Sequence, residues 1–127
     1  MSPQRYAYSE TTNRDDAAWI TARVAVHGGA FRGEYEAMLR AEDFPRFRGE
    51  LQKLHESLGG TARFETMEEW LAIQIEGDGK GNFEASCVAL DSPGMGNRLT
   101  FNVSFDQTEL AAIIRALDAI CAAFPVR

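Results

Sequence analysis

The chain has 127 residues, of which 45% are hydrophobic and 25% charged, the balance of one ordinary globular domain. A domain of this length buries roughly 65 to 70% of its unfolded surface and can fold without disulfides or a structural metal. Acids outnumber bases 19 to 13, for a net charge of −6, which argues against nucleic-acid binding. No apolar run nears the roughly 20 residues of a membrane span.

Residues 1–17 read as a loosely ordered entry, with one edge strand at Arg5–Ser9 and then the polar, turn-like run from Thr11 to Asp16. The polar stretch from Met1 to Glu10 lacks an apolar signal segment, so a cytoplasmic location is expected. The next segment alternates, with Ile20, Ala22, Val24 and Val26 on one face and Trp19, Thr21, Arg23 and His27 on the other. Gly28-Gly29 then suits a tight hairpin turn. A second alternating run sets Phe31, Tyr35, Ala37 and Leu39 against Arg32, Glu34 and Glu36.

From residue 43 the period changes. Phe44, Phe47, Leu51, Leu54 and Leu58 recur at steps of three and four, which predicts a helix over 43–58 capped by Asp43 and ended by Gly59-Gly60. Pro45 is harmless in the first turn, where its missing N–H would have had no partner. Four more strands are predicted at Thr61–Thr66, Trp70–Glu76, Asn82–Leu90 and Arg98–Phe105, separated by turns at 77–81 and 91–97. These connections are too short for parallel crossovers. The run Asp106-Gln107-Thr108-Glu109 resembles a capping box and opens a second helix with an apolar stripe through Leu110, Ile113, Ile114, Leu117, Ile120 and Cys121.

The expected fold is therefore a single α+β domain spanning 1–127: an antiparallel sheet of about six strands, with two amphipathic helices packed on one face.

No constellation points to catalysis. His27 and His55 have no partner at catalytic or metal-ligand spacing, and Cys87 and Cys121 lack the spacing of a zinc or redox pair and read as reduced core residues. Gly77-Asp78-Gly79-Lys80-Gly81 joins two strands, not a strand and a helix, so it is a hairpin turn and not a phosphate loop. Asp78 and Asp91 do not fall in a calcium-loop pattern. No metal or cofactor is expected, and the chain is read as a binding protein and not an enzyme.

What remains is surface. With the helices on one side, the opposite strand positions would collect Trp19, Arg23, Arg32, Glu34, Glu36, Arg63, Glu65, Trp70, Glu76 and Glu84, a mixed face with an acidic excess. Trp19, Glu34, Glu36, Glu65 and Trp70 are the candidate partner-binding residues, since tryptophan is enriched at interface hot spots. For each tryptophan, packing at a sheet edge or under the N-terminal segment is the competing reading.

Several stretches carry a resemblance: Asp16-Ala17-Ala18-Trp19-Ile20, Phe31-Arg32-Gly33, Glu42-Asp43-Phe44 with Phe47 and Leu51, Gly60-Thr61-Ala62-Arg63-Phe64, and Glu69-Trp70-Leu71. Further on come Gly77-Asp78-Gly79-Lys80-Gly81, Gly96-Asn97-Arg98-Leu99-Thr100-Phe101 and Asp106-Gln107-Thr108-Glu109-Leu110. In this order, over roughly residues 16–126, the chain resembles the WapI-like bacterial immunity proteins. It departs from them at Glu109, where members often have an aromatic residue.

The resemblance implies protection against a contact-dependent, nuclease-type toxin through protein–protein binding. A nuclease domain that binds RNA is usually basic, and an acidic inhibitor gains association rate and specificity from complementary charge. The competing reading is a homo-oligomeric structural or regulatory protein, a homodimer that pairs through an exposed sheet face or edge strand and has no toxin partner.

Overall fold

A computed structural model describes residues 2–6, 19–66, 68–92 and 94–125. The antiparallel α+β class holds, but the strands divide between two sheets. Strands β1 (Ser2–Tyr6), β2 (Trp19–Gly28) and β3 (Phe31–Arg40) form one, in that order. Strands β4 (Gly59–Phe64), β5 (Leu71–Asp78), β6 (Asn82–Leu90) and β7 (Arg98–Asp106) form the other, again in chain order. Helix α1 (Asp43–Ser57) connects the two sheets, and α2 (Gln107–Ala123) follows β7. The 15-residue helix α1 stands between β3 and β4, so no tight hairpin joins the two sheets. The expected strand at Arg5–Ser9 overlaps β1 only at Arg5 and Tyr6; Ala7–Ser9 and the Thr11–Asp16 run lie outside the described residues.

The β2–β3 hairpin forms one residue later than expected. Gly28 pairs with Phe31, and the two turn residues are Gly29, at φ +61°, and Ala30. A positive φ at the first turn position matches the right-handed twist of the strands and is open to glycine at no steric cost. The register then sets Ile20 opposite Leu39 and Ala22 opposite Ala37, all buried. Sheet alternation does the same in β6, where Phe83, Ala85, Cys87 and Ala89 face inward.

Helix α1 buries Phe44, Phe47, Leu51 and Leu54. Phe64 of β4 receives two of these rings, at centroid distances of 5.5 Å from Phe44 and 5.3 Å from Phe47. Leu110, Ile114 and Leu117 of α2 join the same core, as do the inner faces of both sheets. Each such aliphatic or aromatic side chain contributes about 1.5 to 3 kcal/mol when fully buried.

Both expected ends of α1 need correction. The N-cap residue is Glu42, which makes no side-chain cap bond, and Asp43 lies inside the helix, where its Oδ1 accepts from Arg46 at 3.0 Å. At the far end Leu58, not a glycine, adopts the left-handed conformation (φ 65°) and donates to the Leu54 carbonyl at 2.7 Å. Gly59 already belongs to β4. The Leu58 carbonyl accepts from the Gly79 N–H at 2.9 Å, so the helix end is fastened to the β5–β6 turn. That contact settles the conformation of Leu58 against its own preference.

At α2 the capping expectation is met by Asp106, whose Oδ1 accepts from the Glu109 N–H at 3.0 Å. Arg48 Nε donates to Asp118 Oδ1 at 2.8 Å and ties the two helices together. Cys87 is buried, Cys121 is partly buried, and both are free thiols pushed above the usual range by burial.

Candidate partner-binding surface

Three of the five expected contact residues share the outer face of the three-stranded sheet. On β2 that face carries Trp19, Thr21, Arg23, Ala25 and His27; on β3 it carries Arg32, Glu34, Glu36, Met38 and Arg40. Arg23 stands directly opposite Glu36 and reaches diagonally to bond Glu34. This hydrogen bond, with the attraction of opposite charges, raises the Arg23 pKa and lowers that of Glu34. The guanidinium of Arg40 lies 6.0 Å from the ring centroid of Trp19 and also pairs with Glu42.

Arg23, Arg32 and Arg40 outnumber Glu34 and Glu36 here, so the acidic excess expected of this face is absent. The expectation failed because it added Arg63, Glu65, Glu76 and Glu84 to the same face, whereas they belong to β4 to β6 and the β4–β5 connection.

Trp70 and Glu65 are not brought together with the other three. Trp70 lies at the entry to β5, where its ring stacks on Tyr35 at 6.3 Å and its Nε1 donates to Glu68 at 3.2 Å. Its carbonyl accepts from the Tyr35 hydroxyl and from the Leu90 N–H. Trp70 therefore fastens one sheet to the other. Glu65 has an exposed side chain and offers its carbonyl to Arg46 at 3.0 Å. It lines a cleft of about 330 Å³ with Thr66, Glu69, Ala72, Val88, Leu90 and Arg98.

The concentrated negative charge lies elsewhere, in a cleft of about 570 Å³ at one end of the four-stranded sheet. Glu76, Asp78, Glu84, Asp106 and Glu109 line it, and no basic residue does. Two of these carboxylates are committed to structure. Asp78 accepts from the Lys80 and Asn82 N–H groups at 2.7 and 3.1 Å, which holds its pKa below the usual range, and Asp106 caps α2. Glu76 accepts from Gln74 at 2.9 Å, through a side-chain row that continues from Gln74 to Arg63.

This cleft escaped the sequence reading because its acids come from four elements: β5, β6, β7 and α2. The one available signal was that Glu76 and Glu84 occupy the same side of adjacent predicted strands. Directly paired like charges are unfavourable in a sheet, and here Glu76 and Glu84 are cross-strand partners.

Among the described residues no cluster of side chains could hold a metal ion, and no helix is long and apolar enough to cross a membrane. No curated protein matches the chain. The family model described as "Immunity protein WapI-like family" matches residues 1–125. With nearly its whole length covered, the chain belongs to the WapI-like immunity protein family.

Proposed function

We propose that the chain neutralises a basic, nuclease-type toxin domain in the cytoplasm by binding it, without catalysis, and that the acidic cleft is the contact. Family membership supports the immunity role. The observation that carries the location is the concentration of charge: five carboxylates and no basic residue line one concavity, in a protein of net charge −6. Paired Glu76 and Glu84 oppose each other in the free protein, so a bound arginine or lysine relieves a repulsion that the fold tolerates.

A second reading places the contact on the outer face of the three-stranded sheet, through Trp19, Glu34 and Glu36. The observation in its favour is an aromatic residue flanked by charge on one surface. Glu65 and Trp70 are proposed for neither contact.

The test is binding and protection with paired charge reversals. Glu84→Lys with Glu109→Lys is expected to weaken binding to the basic toxin domain, flatten its salt dependence and remove protection of cells that express the toxin. Glu34→Lys with Glu36→Lys is expected to leave all three intact. The opposite pattern would move the contact to the Trp19 face, and unchanged affinity in both pairs would sink the electrostatic mechanism.

A further inference from the structure

We propose that the outer edge of β7 is a homodimer interface, on which two copies pair antiparallel about a two-fold axis through Asn102. The proposal rests on ladder geometry and not on the toxin contact, with which it shares Asp106 at the rim of the acidic cleft. Strand β7 ends the four-stranded sheet and pairs only with β6. The Asp91 N–H donates to the Asn97 carbonyl at 3.2 Å, which closes the β6–β7 ladder with a hydrogen-bonded pair. Such pairs recur at every second residue, so Leu99, Phe101, Val103 and Phe105 turn their backbone groups toward β6. Arg98, Thr100, Asn102 and Ser104 turn theirs toward the free edge. In this nine-residue strand those four residues present donors and acceptors that β6 leaves unpaired, a template for another strand.

The occupant is set by the sequence of β7 itself, which is complementary to its own reverse. Rotation about Asn102 places Arg98 opposite Asp106 of the second copy, Leu99 opposite Phe105, Thr100 opposite Ser104 and Phe101 opposite Val103. Opposite charges meet at both ends, polar residues meet polar ones, and apolar residues meet apolar ones. Arg98 makes no salt bridge among the described residues, and Asp106 uses only Oδ1 to cap α2. Val103, 40% exposed on the otherwise inward-facing side of β7, would gain a cover from Phe101 of the second copy.

The free edge of β3 shows the contrast. There the turn geometry directs Arg32, Glu34 and Glu36 outward, and a two-fold axis at Glu34, Tyr35 or Glu36 sets acid against acid every time. Self-pairing centred on those acids is disfavoured on that edge, whereas the β7 register sets no like charges opposite each other.

Sedimentation of the natural chain at high micromolar concentration is expected to give twice the 14.1 kDa monomer mass. Asn102→Pro removes one outward N–H, leaves the β6 ladder intact and is expected to return the mass to that of a monomer with unchanged circular dichroism. Asn102→Cys supplies a second readout. Hydrogen-bonded partners in an antiparallel pair have Cα atoms about 5.5 Å apart, within disulfide range, so mild oxidation should cross-link this variant but not Thr100→Cys. A monomeric natural chain, or equal cross-linking through both cysteines, overturns the proposal.

Discussion

The hydroxyl of Tyr35, on β3, donates to the carbonyl of Trp70 at the entry to β5, and the two rings stack above that bond. This is a direct polar tie between the two sheets. Burial pushes the Tyr35 phenol up to about 12. A phenol that holds its proton longer when folded stabilises the fold at neutral pH and loses that contribution as pH rises from about 10, the usual tyrosine value, through about 12. Tyr35→Phe is expected to cost about 1 kcal/mol at pH 7 in urea denaturation, since the Trp70 carbonyl keeps its bond from Leu90. The variant should also lose less stability than the natural chain between pH 10 and pH 12.

Asp43 is the one buried charged residue among those described, and its Oδ2 has no hydrogen-bond partner. Arg46 attracts the carboxylate, yet the pKa is raised above the ordinary 3.8, so desolvation outweighs pairing. A raised carboxyl pKa means that stability is greatest when the group is protonated and falls as pH climbs through the folded value. Asp43→Asn keeps an acceptor for Arg46 and removes the charge. It is expected to stabilise the protein at pH 7, with the gain shrinking toward pH 3, as read from thermal midpoints across that range.

Gly77 lies under the end of α1. A Cβ there would sit 2.3 Å from the Leu58 carbonyl oxygen and 3.0 Å from the Phe83 ring, and the carbonyl is held in place by Gly79. Gly77→Ala is expected to destabilise the fold by roughly 1 to 3 kcal/mol, the usual cost of overpacking. Gly94→Ala would meet nothing within 4 Å, and its strain comes only from its φ of +80°. A loss at Gly94 larger than at Gly77 would show that backbone conformation outweighs the close approach.

Asp106→Ala removes the acceptor of the Glu109 N–H and should cost about 1 kcal/mol. Asp106→Asn keeps a side-chain acceptor and is expected to retain most of that stability, while weakening any contact that depends on the charge of the acidic cleft. Comparing the two by denaturation and by binding separates the cap from the surface charge.

The strands were legible wherever one face is buried. The predicted Asn82–Leu90 strand coincides with β6, and Arg98–Phe105 falls one residue short of β7, because Phe83, Ala85, Cys87 and Ala89 alternate strictly with exposed or partly exposed positions. The ends of α1 were not legible, because a side-chain pair within the helix decides one and a partner distant in sequence decides the other. Arg46 engages Asp43 across one helical turn, and Gly79 holds Leu58 from another hairpin. The division into two sheets was equally hidden, since periodicity reports which face a residue occupies and not which strand lies beside it. The candidate surface suffered most. Trp19 and Glu36 lie where alternation puts them, whereas Trp70, expected either in a partner contact or packed at a sheet edge, stacks on Tyr35, 35 residues away.

The four-stranded sheet is a meander in which every strand pairs with its neighbour in the chain, and α1 docks on the turn between two of them. Contacts of this kind close short loops, so little chain entropy is lost before pairing returns free energy. Residues 43–106 can therefore assemble as an early folding unit. The three-stranded sheet must then find it across the longer connection made by α1, with the Tyr35–Trp70 tie formed late. In pulse-labelled hydrogen exchange, the amides of β5 and β6 should gain protection before those of β2 and β3, and Tyr35→Phe should speed unfolding while leaving the folding rate nearly unchanged.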